Sequence, residues 1–269
     1  MSSPLLAGWD CHAHVFDERP SMHVGHYHPP PRAIEALEGQ AADVGIGHIV
    51  LVQPSVYGTD NSLLLESLSK TNGRHRGIVV LDRAPSDAAM LEMHARGVRG
   101  VRFNQVSPVG NGEAALAVLA PKLREFAWHV QWYTRPEHLT KVAEIHARHG
   151  LVCVLDHLAG FTTSTALDAE RWNALERLSD MGAWIKLSGW YRLDAVAPFD
   201  SLAEVITRAV NAFPGRCVWG SDWPNTWFFE PGRKEPAPAY SDLLGVMSRA
   251  IGPQVAQRII CDDPTRLYA

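Results

Sequence analysis

Two histidines stand two residues apart near the N-terminus, within Gly8-Trp-Asp-Cys-His-Ala-His-Val15. Side chains alternate along a β-strand, so this spacing puts His12 and His14 on one face with Asp10, and Cys11 and Ala13 on the other. Paired imidazoles at the end of a strand can bind one metal ion or polarise one carbonyl. Two later apolar runs also end on ionisable side chains, Val154-Leu-Asp-His157 and Gly220-Ser-Asp-Trp-Pro224. Taken singly, each has a plain structural reading: an exposed histidine pair, a satisfied core histidine, an aspartate capping a turn. Brought to one mouth, His12, His14, His157 and Asp222 become three imidazoles around a carboxylate. That set could draw a proton from water and steady an acyl oxygen as it gains charge.

The chain must contain elements that bring these ends together. Eight short apolar runs rich in β-formers fit strands: Gly8–Val15, Gly47–Ser55, His75–Asp82, Gly97–Gln105, His129–Thr134, Leu151–Leu158, Ala183–Trp190 and Cys217–Pro224. Helix-like stretches separate them: 31–44, 60–72, 85–96, 113–125, 136–149, 166–181, 199–212 and 240–251. Pro136 falls near a helix start, and Gly97, Gly150 and Gly182 fall after helix ends, as backbone conformational preference requires. Strand–helix alternation repeated eight times predicts an α/β fold, a single (β/α)8 TIM barrel spanning 1–269. A doubly wound open sheet fits less well, because no G-x-G-x-x-G follows the first strand. Two connections are long, roughly 16–31 after strand 1 and 223–239 after strand 8. Both lie where barrel active sites are built, and the first carries His23, His26 and His28, any of which could touch a ligand.

Composition sets the outer limits. The chain is 46% hydrophobic and 20% charged, which is ordinary for a globular protein and excludes disorder. Its formal net charge is -4 with no basic run, so nucleic acid is not an expected partner. No apolar run approaches the roughly 18 residues of a membrane span, and the N-terminus lacks the pattern of a signal peptide. Cys11, Cys153, Cys217 and Cys261 are isolated, so they read as buried reduced thiols of a cytoplasmic protein. Nothing fixes the oligomeric state, and a homo-oligomer is left open. Arg99 reads as structural and Lys186 as a buried ion-pair partner.

Several stretches resemble the amidohydrolase superfamily, in the branch of 2-pyrone-4,6-dicarboxylate lactonase and the sugar-lactone hydrolases. They are Asp10-Cys-His-Ala-His-Val-Phe16, Gln53-Pro-Ser-Val-Tyr-Gly-Thr-Asp-Asn61, Gly97-Val-Arg-Gly-Val-Arg-Phe-Asn104, Leu155-Asp-His157, Lys186-Leu-Ser188 and Trp219-Gly-Ser-Asp-Trp-Pro224. The resemblance covers nearly the whole chain. It implies that Asp222 is the general base on water and that His12, His14 and His157 surround the scissile carbonyl and donate hydrogen bonds to it. It also implies that Tyr27, Ser55, Arg102, Tyr133 and Arg192 hold substrate carboxylates and the ring.

Two departures bear on the substrate. The branch carries a further arginine in the strand 4 loop, where this chain reads Val106-Ser-Pro-Val-Gly-Asn111, and a histidine where Asn225 stands. A lost bidentate arginine is not easily replaced. A monocarboxylate or neutral sugar lactone therefore fits as well as the dicarboxylate, and Trp223, Trp227 and Phe228 would suit a flat ring. Strand 4 offers Arg102 and Asn104 and strand 5 offers Trp132 and Tyr133, not the ligands of a two-metal site. The expectation is a lactone hydrolase with a small-molecule substrate and no required cofactor. If one zinc is bound, His12, His14 and Asp222 are its ligands, with His157 a possible further one. The alternatives are an aldarolactone isomerase on the same site and a zinc-dependent decarboxylase.

Overall fold

The computed structural model describes residues 7–21, 27, 29–106 and 111–269. His23, His26 and His28 lie outside the described residues, as do residues 107–110 of the loop after strand 4. Eight parallel strands run in sequence order through one sheet: β1 (Gly8–Ala13), β2 (Ile46–Val52), β3 (Arg76–Val79), β4 (Val98–Asn104), β5 (His129–Tyr133), β6 (Cys153–Leu155), β7 (Trp184–Ser188) and β8 (Cys217–Gly220). The sheet closes just beyond β8, where the amide of Asp222 donates to the carbonyl of His12 (2.8 Å) and that of His14 to the carbonyl of Trp223 (2.8 Å). A strand order without reversals, closed on itself, is a (β/α)8 barrel.

Helices follow each strand: α1 (Ile34–Ala42), α2 (Ser62–Ser69), α3 (Asp87–Ala95), α4 (Glu113–Glu125), α5 (Leu139–His149), α6 (Ala169–Asp180), α7 (Ala203–Ala212) and α8 (Tyr240–Ile251). All eight expected strands are present, and each ends before its expected C-terminal limit. The residues beyond those limits belong to the site loops. The sequence reading stopped at 251. Two more helices follow, α9 (Pro253–Cys261) and α10 (Asp263–Tyr268). Buried Tyr268 packs with Cys11, Val50, Val52, Ile78, Val154 and Val218, so the chain's last helix joins the barrel's inner core. A larger apolar layer joins the outer strand faces to the helices.

Cys11, Cys153 and Cys217 are buried free thiols, as expected, whereas Cys261 is only half-buried. Arg99 is structural: its guanidinium donates to the carbonyls of His94, Val98 and Ala269. Among the described residues no helix is long and apolar enough to cross a membrane.

Candidate active site

The strand carrying the histidine pair does not alternate regularly. Its register against β2 shifts between Asp10 and Ala13, so three steps on β1 match two on β2. An extra residue of this kind re-aims side chains. Asp10 therefore does not share a face with His12 and His14. Its carboxylate lies on the helix side, where it accepts from Tyr240 Oη of α8 (2.9 Å), Ser221 Oγ (2.5 Å) and the amides of His12 (3.1 Å) and Ser221 (2.9 Å). Asp10 thus ties β1 to the loop that carries Asp222.

Two glycines make room for the rings. A Cβ at Gly220 would sit 2.5 Å from His12 Cβ, and one at Gly189 would sit 2.5 Å from His157 Nδ1. Asp222 (φ 57°) and His157 (φ 49°) both occupy left-handed backbone, unusual for residues with a side chain. Such conformations cost about 1–3 kcal/mol each and cluster where geometry serves chemistry.

Asp222 is fully buried, and its two oxygens are treated differently. Oδ2 accepts from Tyr191 Oη (2.5 Å) and Arg192 Nε (2.6 Å). Oδ1 has no hydrogen bond among the described residues; it lies 3.3 Å from His14 Nε2 and 3.6 Å from His12 Nε2. Burial by itself raises this carboxyl, but the permanently charged Arg192 guanidinium outweighs burial and holds it well below the usual carboxylate range. It is a carboxylate with one fixed and one available oxygen.

The far nitrogen of each imidazole decides what the near one offers. His14 Nδ1 is 2.7 Å from the Val52 carbonyl, which can only accept, so the hydrogen is assigned to Nδ1 and a neutral ring presents a lone pair at Nε2. His12 Nδ1 lies 3.2 Å from Asp156 Oδ1, which assigns the same tautomer. His157 is different. Its Nδ1 is 2.9 Å from Ser188 Oγ, a hydroxyl that can donate or accept, so this ring can present either an Nε2–H donor or an Nε2 lone pair to the site. Burial lowers His157 to about 4 and His12 well below its usual value, so both rings are neutral near pH 7.

Beneath the histidines lies a fully buried ion cluster. Lys186 Nζ donates to Gln131 Oε1 (2.7 Å) and the Cys11 carbonyl (2.8 Å) and stands 3.4 Å from Asp156 Oδ1. Asp156 Oδ2 accepts from Gln131 Nε2 (3.0 Å) and Arg102 Nε (3.2 Å). Burial raises Asp156, but the neighbouring Nδ1–H of His12 and the charges of Lys186 and Arg102 hold it well below the usual range. Lys186 is the buried ion-pair partner that the sequence suggested.

A cavity of about 140 Å³ opens above the cluster, lined by His14, Tyr27, Ser55, Arg102, Tyr133, Arg192 and Asp222 among others. Tyr27 Oη and Ser55 Oγ are 3.2 Å apart. Arg102 and Arg192 both lie over the Tyr133 ring, at 5.3 and 6.0 Å from its centroid. Asn225 is not in this lining. Its Nδ2 donates to the carbonyls of Ser221 (3.0 Å) and Asp222 (3.3 Å), behind the catalytic loop.

The aromatic residues of the β8 loop do not wall the catalytic cavity, contrary to the sequence expectation. A short 3-10 turn, Thr226–Phe229, directs Thr226 and then Glu230 to the cavity. Trp227 and Phe228 instead line a separate apolar groove of about 750 Å³ with Tyr191, and Trp223 is buried.

Sequence reasoning did not select Tyr191, Gln131 or Asp156 for the site. Two signals were available: Tyr191 precedes Arg192, and Asp156 precedes His157 after a strand.

His12 Nε2, His157 Nε2 and Asp222 Oδ1 are buried, lack hydrogen-bond partners among the described residues, and lie within 4.8 Å of one another. A nitrogen, nitrogen, oxygen set of this kind fits a divalent cation such as zinc. The grouped ligands are His12, Asp222 and His157, the last of which the sequence offers as a possible ligand beside His14.

The chain is 29% identical over 270 residues to a 4-sulfomuconolactone hydrolase of Rhizobium radiobacter, covering 97% of this chain and 89% of that protein. It is 27% identical to a 2-pyrone-4,6-dicarboxylate hydrolase of Comamonas testosteroni, covering 96% and 89%. A crystal structure from Pseudomonas putida described as a 2-pyrone-4,6-dicarboxylic acid hydrolase superposes with a TM-score of 0.83 at 29% identity, covering 98% and 97%. The sequence profile of the amidohydrolase family matches residues 9–269, essentially the whole described barrel, and the chain belongs to that family.

Proposed function

We propose that this protein hydrolyses a small lactone, with Asp222 as the general base on water. The observation that carries the reading is the divided carboxylate: Oδ2 fixed by Tyr191 and Arg192, Oδ1 bare beside His12 and His14. A water donates two hydrogens. Asp222 Oδ1 can accept one and His14 Nε2 or His12 Nε2 the other, which turns the water's lone pair toward a bound carbonyl. The histidines therefore divide their work rather than all donating to the carbonyl. His12 and His14 accept from water, and His157 Nε2–H donates to the carbonyl oxygen as it becomes an oxyanion.

The step balances on the chain's own groups. Water oxygen bonds to the lactone carbonyl carbon, and its proton passes to Asp222 Oδ1. When the ring C–O bond breaks, that proton goes to the leaving oxygen, giving a hydroxy acid or its keto tautomer. One lost oxyanion donor costs roughly 3–4 kcal/mol, and a positioned base contributes roughly 10²–10⁴-fold. A lactone is an activated ester, so these terms suffice and no metal is required. The lone pairs of His12 and Asp222, with that of His157 Nε2 when its hydrogen sits on Nδ1 against Ser188 Oγ, would hold a divalent cation; when bound it would polarise the carbonyl as a Lewis acid.

The test is turnover across a panel of aldonolactones, aldarolactones and 2-pyrone-4,6-dicarboxylate, with and without chelator. The expected result is hydrolysis that survives the chelator. No turnover on any lactone, together with stoichiometric zinc in the protein, would overturn the reading.

A further inference from the structure

The charges around the catalytic cavity do not match a dianion. Two arginines line it, and each is already paired: Arg102 with Asp156 (3.2 Å) and Arg192 with Asp222 (2.6 Å). A third carboxylate, Glu230, also lines the cavity, from the end of the β8 turn. It is half-buried and makes no ion pair within 4 Å among the described residues. The other lining groups near this wall, Thr226, Tyr27, Ser55 and Asn104, are neutral hydroxyls and an amide. Thr226 Oγ1 accepts from Arg192 Nη2 (2.8 Å), which spends one of the guanidinium's outward donors on the protein.

Resting on the hydrolase reading above, we infer that Glu230 is a specificity-determining residue, and that the substrate is a hydroxylated lactone bearing at most one carboxylate. A carboxylate accepts from a hydroxyl or from two neighbouring hydroxyls of a sugar-derived ring. It repels a second substrate carboxylate placed at the same wall, which is discrimination by an opposing charge rather than by a better contact. The cavity, about 140 Å³, suits one small ring rather than an extended chain. The remaining N–H groups of Arg102, which also lines the cavity, can take the single carboxylate beside Tyr133.

The test compares wild type with Glu230→Gln on an aldonolactone, a lactone monocarboxylate and 2-pyrone-4,6-dicarboxylate, reading kcat and KM separately. Wild type should favour a hydroxylated lactone over the dicarboxylate by about tenfold or more in kcat/KM. The glutamine variant should raise kcat/KM for the dicarboxylate about tenfold and lower it for the hydroxylated lactone, with both changes in KM. A wild type that prefers the dicarboxylate, or a variant whose preference ratio is unchanged, would overturn the inference and leave the hydrolase reading intact. If wild type opens no lactone, binding of D-gluconate and pyridine-2,4-dicarboxylate is followed by tryptophan fluorescence. A preference that shifts with Glu230→Gln then upholds Glu230 while the hydrolase reading fails; an unshifted preference overturns both.

Discussion

Asp156 and Asp222 are both fully buried, both held well below the usual carboxylate range, and both in contact distance of His12. They differ in what surrounds their oxygens. Asp156 is enclosed by Lys186, Arg102, Gln131 and His12. Asp222 has hydrogen-bond donors on Oδ2 only, its Oδ1 lies beside His12 and His14, and the residue lines the cavity. Depth and charge do not separate a structural carboxylate from a chemical one here. Oδ1 of each lacks a hydrogen-bond partner among the described residues, but that of Asp156 is held between His12 Nδ1 (3.2 Å) and Lys186 Nζ (3.4 Å), whereas Asp222 lines the cavity and Asp156 does not. In the proposed mechanism, a depressed value makes Asp222 an ionised but weak base, so its effect would depend on placing the water correctly more than on proton affinity.

Substitutions at the two aspartates should therefore separate rate from stability. Asp222→Asn should lower kcat by about 10²–10⁴-fold in a lactone assay, with the far-UV circular dichroism of the folded protein retained. Asp156→Asn leaves Lys186 and Arg102 without their shared buried partner; urea unfolding should show a loss of about 3–5 kcal/mol. A pure stability loss at Asp222, or a pure rate loss at Asp156, would break the distinction.

The neutral histidine between them gives a pH signature. His157 accepts a proton only near pH 4 in the fold, against an unfolded value near 6.5. Between those limits the unfolded chain binds the extra proton, so stability falls as pH drops from about 6.5 to about 4, by about 3 kcal/mol for this ring. Buried His129, lowered to about 3, adds to the same slope. Urea unfolding from pH 7.5 to 4.5 measures it, and His157→Gln should remove part of the slope.

The smallest effect concerns the clamp on Asp222. Tyr191→Phe removes the 2.5 Å donor to Oδ2 and should reduce kcat about tenfold. Losing a hydrogen bond to the charged form raises the carboxyl, so any acid limb of the rate profile that belongs to Asp222 should move to higher pH. An unmoved limb would show that Tyr191 does not tune this carboxylate.

Much of this barrel was legible in the sequence because its signals are local. Strand–helix alternation, capping residues and terminal glycines mark each β/α unit by itself, and Glu113–Glu125 and Tyr240–Ile251 match at both ends. What was missed depends on contacts between distant segments. The face of Asp10 depends on a register shift against β2, which strict alternation cannot anticipate. The role of Asp156 depends on Lys186 and Gln131 from two other strands. The outward turn of Trp227 and Phe228 depends on a 3-10 turn that hydrophobic pattern does not reveal. The histidine tautomers depend on Val52, Asp156 and Ser188, far apart in sequence.

The most direct test of the central claim is lactone opening in ¹⁸O-labelled water, with wild type and Asp222→Asn side by side. Direct attack by a water activated at Asp222 predicts one labelled oxygen in the new carboxylate per wild-type turnover, and loss of that labelled product in the variant. An unlabelled rearranged lactone as the product, or labelled product from Asp222→Asn within tenfold of the wild-type rate, would contradict it.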